Sequence, residues 1–334
     1  MKSLAKIINL IKLGPAQTKV IISNKVMKMM GKLPNVPHVV HIELTNACNL
    51  ECIMCDRESL SRQHRSIKMD TFKYIIDDLA SIKVPCVKLN RFGEPLLHPK
   101  LTEMIRYAKS QNIYKVFFTT NATLLTEEKA EDIIKSGLDS IDFSIDGGTK
   151  ETYEKIRKGA KFEEVVNNIV RFKKIRDRLG SSTPRMCLHT LLMNETKDEM
   201  KLVFDRWSDI VDEIHIMPVA QYGNMEDHGF IDPSEVDGAL GPCTSLANPL
   251  LVFWDGTVTL CCADINGELA IGNILEESMS KIWKNKKMQR VLELHQRKDF
   301  SMLPICTNCD GTKESLNKEK ERVRQEIYGQ YGRH

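Results

Sequence analysis

Three cysteines fall within eight residues in the stretch TNACNLECIMC, at Cys48, Cys52 and Cys55. A disulfide between two of them would strand the third, so the spacing reads as a metal-binding loop. Three thiolates on one loop can ligate three irons of a four-iron cluster, which leaves one iron open to a substrate or cofactor. Zinc is the alternative, but a structural zinc needs a fourth ligand, and the next histidine, His64, lies nine residues on in a polar segment. A second group comprises Cys243, Cys261, Cys262, Cys306 and Cys309, while Cys86 and Cys187 stand alone. Cys243, Cys261, Cys306 and Cys309 read Cx17Cx44Cx2C around FWDGTVTLCC, a segment that predicts a hairpin with a DG turn. Four thiolates so placed suit a ribbon-like zinc site or a second, fully ligated four-iron cluster.

The composition narrows the class. The 334 residues are 42% hydrophobic, enough for one large α/β domain and a smaller one. Lys plus Arg number 48 against 45 Asp plus Glu, spread along the chain, a balance that does not suggest a nucleic-acid binder. Ten cysteines without an export signal point to a reducing compartment, the cytoplasm, where thiols are ligands more often than disulfides. Residues 1–32 interrupt their apolar positions with Lys2, Lys6, Lys12, Lys19, Lys25 and Lys28, so they read as neither signal peptide nor membrane span. An amphipathic helix covering the body of the protein is expected there, ahead of contact with a membrane surface.

The elements that must position the cysteines repeat one unit. Apolar, β-branched runs begin near residues 39, 86, 115, 140, 185 and 213, with helical patterns such as MDTFKYIIDDLASI and TEEKAEDIIKSG between them. Strand, helix, strand, repeated with right-handed crossovers, gives an open doubly wound sheet or a partial barrel. In both, chemistry sits at the C-terminal ends of the strands, and the first cysteine loop follows the first strand. The expected layout is a helical extension over 1–37, an α/β body over 38–220, a Gly- and Pro-rich linker over 221–242, a cluster-binding domain over 243–312 and a charged helix or tail over 313–334.

The Cx3Cx2C loop after the first strand of such a repeat resembles the radical S-adenosylmethionine (radical SAM) superfamily. Companion segments strengthen the resemblance. RFGEP, with Gly93, Glu94 and Pro95, is similar to the family's glycine-rich segment, whose backbone and carboxylate meet the SAM amino group; Phe92 stands where a first glycine is usual. Thr120 and Asn121 match the segment near the ribose, and Ser144, Asp146 and Arg157 match positions near the ribose hydroxyls and the SAM carboxylate. Each of these alone has an ordinary structural reading, as a turn, a helix cap or a solvated side chain. The resemblance implies a partial (β/α)6 TIM-like barrel with a small C-terminal β-hairpin and helix cluster-binding domain. Gly256, Cys261 and the segments CADINGELAIGNI and PICTNC resemble the SPASM/twitch extensions of such enzymes in their one-cluster form, because no cysteine follows Cys309.

The implied cofactors are SAM and two [4Fe-4S] clusters, one binding SAM and one auxiliary, reduced by a donor such as flavodoxin or ferredoxin. The implied chemistry is hydrogen abstraction by a 5′-deoxyadenosyl radical, then electron loss towards the auxiliary cluster, oxidising a polyol, sugar or aminocyclitol. A maturase acting on a side chain of a ribosomally made peptide and a thiol-dependent radical epimerase remain as alternatives, with Cys262 or Cys187 the candidate hydrogen donor. A non-catalytic metal-binding scaffold is a third class, which iron content and SAM cleavage would separate. Cys262 otherwise reads as a spare thiol on the far face of a strand, Cys187, His98 and His189 as core, and Met27, Met29 and Met30 as helix packing.

Overall fold

The computed structural model describes residues 18–20, 22–24, 34–220, 228–231, 241, 243, 245–247, 249–307 and 309–332. The expected N-terminal extension and the 221–242 linker therefore lie almost wholly outside the described residues. Eleven strands are defined in chain order: β1 (Val39–Ile42), β2 (Glu51–Cys52), β3 (Cys86–Lys88), β4 (Lys115–Thr120), β5 (Ser140–Ser144), β6 (Arg157–Lys158), β7 (Arg185–Leu192), β8 (Glu213–Pro218), β9 (Leu250–Val252), β10 (Thr257–Thr259) and β11 (Ala270–Asn273).

Six of these strands begin where the apolar runs predict, and β1, β3, β4, β5, β7 and β8 pair in parallel in that order. The crossovers are helices whose buried residues recur at helical spacing. In Met69–Ser81 these are Phe72, Ile75, Ile76 and Leu79, each fully buried; burial of such a side chain contributes about 1.5–3 kcal/mol. Start signals are in place as well, since the side chains of Thr126, Thr149 and Asn285 cap the helices that follow them.

Alternation along the strands separates two surfaces. Val40, Val87, Phe118, Ile141, Leu188 and Ile214 turn outward into the apolar core beneath the helices. His41, Lys88, Phe117, Asp142, His189 and His215 turn the other way, into a polar lumen. The result is a partial barrel whose sheet never closes.

Two features go beyond the sequence expectation. The auxiliary hairpin does not form a sheet of its own, because β9 joins β1 in parallel, Val40 opposite Leu250, and β10 and β11 extend the same sheet. The expected charged tail is the helix Glu314–Tyr331, and it lies against β8 instead of standing in solvent. The Ile216 amide donates to Tyr328 Oη at 2.8 Å, satisfying an edge group, and Lys320 Nζ donates to Val219 O and pairs with Asp310, each at 2.7 Å. Among the described residues no helix is long and apolar enough to cross a membrane.

Candidate active site

The loop carrying Cys48, Cys52 and Cys55 leaves the top of β1 and is held from three sides. Asn46 brackets it with two bonds of 2.9 Å to the backbone of Gln63 and Arg65. On the second side runs the Gly93–Pro95 segment. A Cβ at Gly93 would sit 2.1 Å from Thr45 O and 2.7 Å from Ala47 O, so only glycine lets the two backbones meet, and the Glu94 amide then donates to Ala47 O at 2.9 Å. The third side is β6, where Arg157 lies opposite Cys52. Arg62 ties the same region to the hairpin, forking onto Glu43 at 2.7 and 2.9 Å with its guanidinium 3.6 Å over the ring of Phe253.

The acidic candidates are largely committed to this scaffold. Glu94 is buried; Oε1 accepts from the Leu96 amide at 3.0 Å and Thr120 Oγ1 at 2.8 Å, and Oε2 accepts from the Asn121 amide at 2.9 Å. Burial raises its pKa, opposed by these bonds. Two lone-pair directions per oxygen leave one on Oε2. Asp146, matched in sequence to the ribose region, is fully buried with both oxygens occupied, Oδ1 by the Leu191 amide at 2.7 Å and Oδ2 by Arg157 Nη2 at 2.5 Å. Its visible task is to aim Arg157. The Arg157 Nε is buried without a partner and Nη1 stands 3.9 Å from Cys52 Sγ, so the guanidinium keeps donors directed at the cysteine loop. Asn121 Nδ2 reaches Asn49 Oδ1 at 3.0 Å and lies 3.9 Å from Cys48 Sγ, and Ser144 ends β5 half-buried.

The second cysteine group surrounds a cavity of about 120 Å³ lined by Cys243, Cys261, Cys306 and Cys309, with Cys262 in its wall. Gly311 closes one side, where a Cβ would come within 3.1 Å of Cys243 Sγ and 3.3 Å of Cys309 Sγ. Backbone amides of Ala263 and Gly311 donate to Cys261 Sγ and Cys309 Sγ at 3.3 Å each. His295, not singled out in the sequence, accepts from the Cys243 amide at Nδ1, which leaves Nε2 as donor 3.6 Å from Cys306 Sγ. Burial raises the thiols of Cys52 and Cys309 to about 11 and of Cys306 to about 12, so loading with metal must release protons. Cys262 corrects the strand reading, because β10 ends at Thr259 and Cys262 lies in the turn beyond.

Sulfur spacing tests what the two groups can hold. A tetrahedral zinc at about 2.3 Å from each sulfur needs sulfurs about 3.8 Å apart. Among the described residues, the group with three ligand atoms mutually within 4.8 Å is Cys187, Glu213 and His215, so neither cysteine set is drawn in that tightly. The donor type and the surrounding N–H···S bonds fit iron–sulfur clusters. Cys187 itself is low on β7, 3.6 Å from Ser140 Oγ and 4.0 Å from Glu213 Oε2, away from both cysteine groups along the strand. His98 is buried and bonded to Ile67 O, whereas His189 turns to the lumen, 3.5 Å from Asp142 and edge-on to His215.

Comparison with known proteins adds a family to this geometry. The sequence pattern of the radical SAM superfamily matches residues 42–206, and that of the SPASM iron-sulfur cluster-binding domain matches residues 243–310. An AdoMet-dependent heme synthase of Methanosarcina barkeri is 36% identical over 129 residues, covering 38% of this chain and only 36% of the relative's own length. A tungsten-containing aldehyde ferredoxin oxidoreductase cofactor-modifying protein of Pyrococcus furiosus is 23% identical over 317 residues, covering 81% of this chain and 86% of that protein. The crystal structure of BtrN in complex with AdoMet and 2-DOIA superposes with a TM-score of 0.56 at 18% identity, covering 84% of this chain and 97% of BtrN.

Proposed function

From the premise that this chain belongs to the radical SAM superfamily and carries a SPASM-type iron–sulfur domain, we propose that it oxidises a small polyol, sugar or aminocyclitol. The carrying observation is that four cysteines line one cavity, with Cys262 in its wall and bonded through its carbonyl to Arg91 Nε. A cluster with four thiolates has no open iron to hold substrate, so accepting an electron is its natural task. The superposed structures include BtrN with 2-DOIA and others with bound peptides, so they support a substrate partner without choosing between the two classes. A flavodoxin or ferredoxin would supply the reducing electron.

The residues divide the work. Cys48, Cys52 and Cys55 would hold the cluster that binds SAM, and Cys243, Cys261, Cys306 and Cys309 the auxiliary one. When bound, the first cluster and SAM supply reductive cleavage of a sulfonium bond and hydrogen abstraction from the substrate. Arg157, aimed by Asp146, would receive the SAM carboxylate, and the remaining lone pair of Glu94 the amino group. Replacing Arg157 with Ala should weaken SAM binding by about 2–5 kcal/mol, because one member of a desolvated charge pair is removed. Equilibrium binding of SAM to the reconstituted variant measures this, and unchanged affinity would move the carboxylate elsewhere.

One observation favours a second reading, in which a thiol returns a hydrogen atom. The Cys262 thiol lies within electrostatic reach of Lys88 and Arg91 and shares the cavity of the auxiliary cysteines. Turnover in deuterium oxide decides between the two. Oxidation predicts a product two electrons more oxidised, with no solvent deuterium at the reacting carbon and with Cys262→Ala still active. Deuterium incorporation without net oxidation, abolished in Cys262→Ala, would replace the first reading with epimerisation.

A further inference from the structure

We propose that Lys88 anchors an anionic group of the substrate, a carboxylate or a phosphate, in the barrel lumen, with Arg91 beside it. This rests on the proposed function and on reading the lumen as the substrate chamber, and it narrows the polyol or sugar to one that carries a carboxylate or a phosphate, setting the aminocyclitol aside.

Lys88 ends β3, one residue after the fully buried Val87, and alternation turns it inward between His41 of β1 and Phe117 of β4, its partners in register. Lys88 is half-buried, and among the described residues no hydrogen bond or ion pair reaches Nζ. The nearest described aromatic is Phe117, 6.0 Å from Nζ to the ring centre. Asp142, the acid whose field favours the charge, gives its oxygens to Ser140 Oγ at 3.1 Å and to the His189 ring at 3.5 Å. It makes no hydrogen bond or ion pair to Lys88 among the described residues.

A half-buried ammonium without a contact partner is weakly compensated. Desolvation pushes the Lys88 pKa down to about 8, and the positive charges of Lys88 and Arg91, after burial itself, hold His41 well below its usual value. His41 Nδ1 is buried with no partner, a second polar atom on this wall left open. Arg91 spends Nε on Cys262 O and stands over Phe92, 4.8 Å from its ring centre, leaving its terminal nitrogens for a ligand. Lys88, Arg91 and His41 therefore line one side of the lumen with donors and two positive charges, set against the single carboxylate of Asp142. A neutral polyol would leave that charge uncompensated, whereas an anion would complete it.

Ligand-observed NMR of inorganic phosphate and of succinate, with SAM-loaded holoenzyme, tests the assignment. At least one anion should broaden with wild-type protein; in Lys88→Met its affinity should fall at least about tenfold, and Lys88→Arg should retain it. Broadening by phosphate alone identifies a phosphorylated substrate, and by succinate alone a carboxylate. Equal broadening in wild type and Lys88→Met, or none with either anion, overturns the proposal. Should Lys88→Met lose its iron, acetylation of Lys88 followed by mass spectrometry decides instead, protection by phosphate or succinate supporting the site and its absence refuting it. Because this readout needs no turnover, failure of the anion site and failure of the oxidation reading are separately visible.

Discussion

Protein with Cys306 and Cys309 both changed to Ala is expected to release 5′-deoxyadenosine at close to the wild-type rate while oxidised product falls at least about a hundredfold, about 2.7 kcal/mol in the barrier. The separation follows from the geometry. The thiols of Cys48, Cys52 and Cys55 are fixed by Asn46, the Gly93–Pro95 segment and β6, none of which contains an auxiliary cysteine. Radical generation should therefore survive loss of the second cluster. Thermal melting of the double variant is the control for folding, because Cys306 belongs to the apolar core. A variant that melts normally, keeps about four irons and still makes oxidised product at the wild-type rate would show that the substrate electron leaves by another route.

Changing Cys48, Cys52 and Cys55 together to Ala should have the opposite signature. Anaerobically reconstituted wild type should hold about eight irons and the triple variant about four. No deoxyadenosine should appear from the triple variant, with or without substrate. The barrel should remain folded, since the loop contributes none of the large buried side chains; Phe72, Phe118 and Phe143 lie beneath the helices. Zinc in place of iron in protein purified without oxygen would contradict both expectations, as it would the sulfur spacing.

Much of the site was legible before any coordinates. The Cx3Cx2C loop, the RFGEP, TTNATLL and SIDG segments and the six apolar runs are local patterns, readable because side-chain type and strand periodicity act over a few residues. The four auxiliary cysteines were legible for the same reason, as ligand spacing bounded by a hairpin and a CxxC turn. Their chemistry was less so, since zinc and iron–sulfur sites share that spacing and differ in how far apart folding leaves the sulfurs.

Long-range pairing decided the rest. Nothing local in LLVFWDGTVTL states that β9 will add to β1, because parallel register depends on partners some 210 residues away and on which sheet edge is free. The helix Glu314–Tyr331 reads as charged and solvated, yet Tyr328 and Lys320 find the open edge of β8, whose unpaired amides create the demand. Arg157 and Asp146 could be named from sequence, but that Asp146 spends both oxygens inside the fold while Arg157 keeps free donors is a fact of burial. Lys88 is the clearest case. In CVKLNRFG it is one more surface-like lysine, and only the curving of the parallel strands turns alternation into a half-buried, lumen-facing position and leaves an ammonium without a partner among the described residues. The sequence alone determined which residue types stand at each strand end; the tertiary structure decided which are satisfied by one another and which still face a ligand, because desolvation and charge compensation depend on neighbours brought together only by folding.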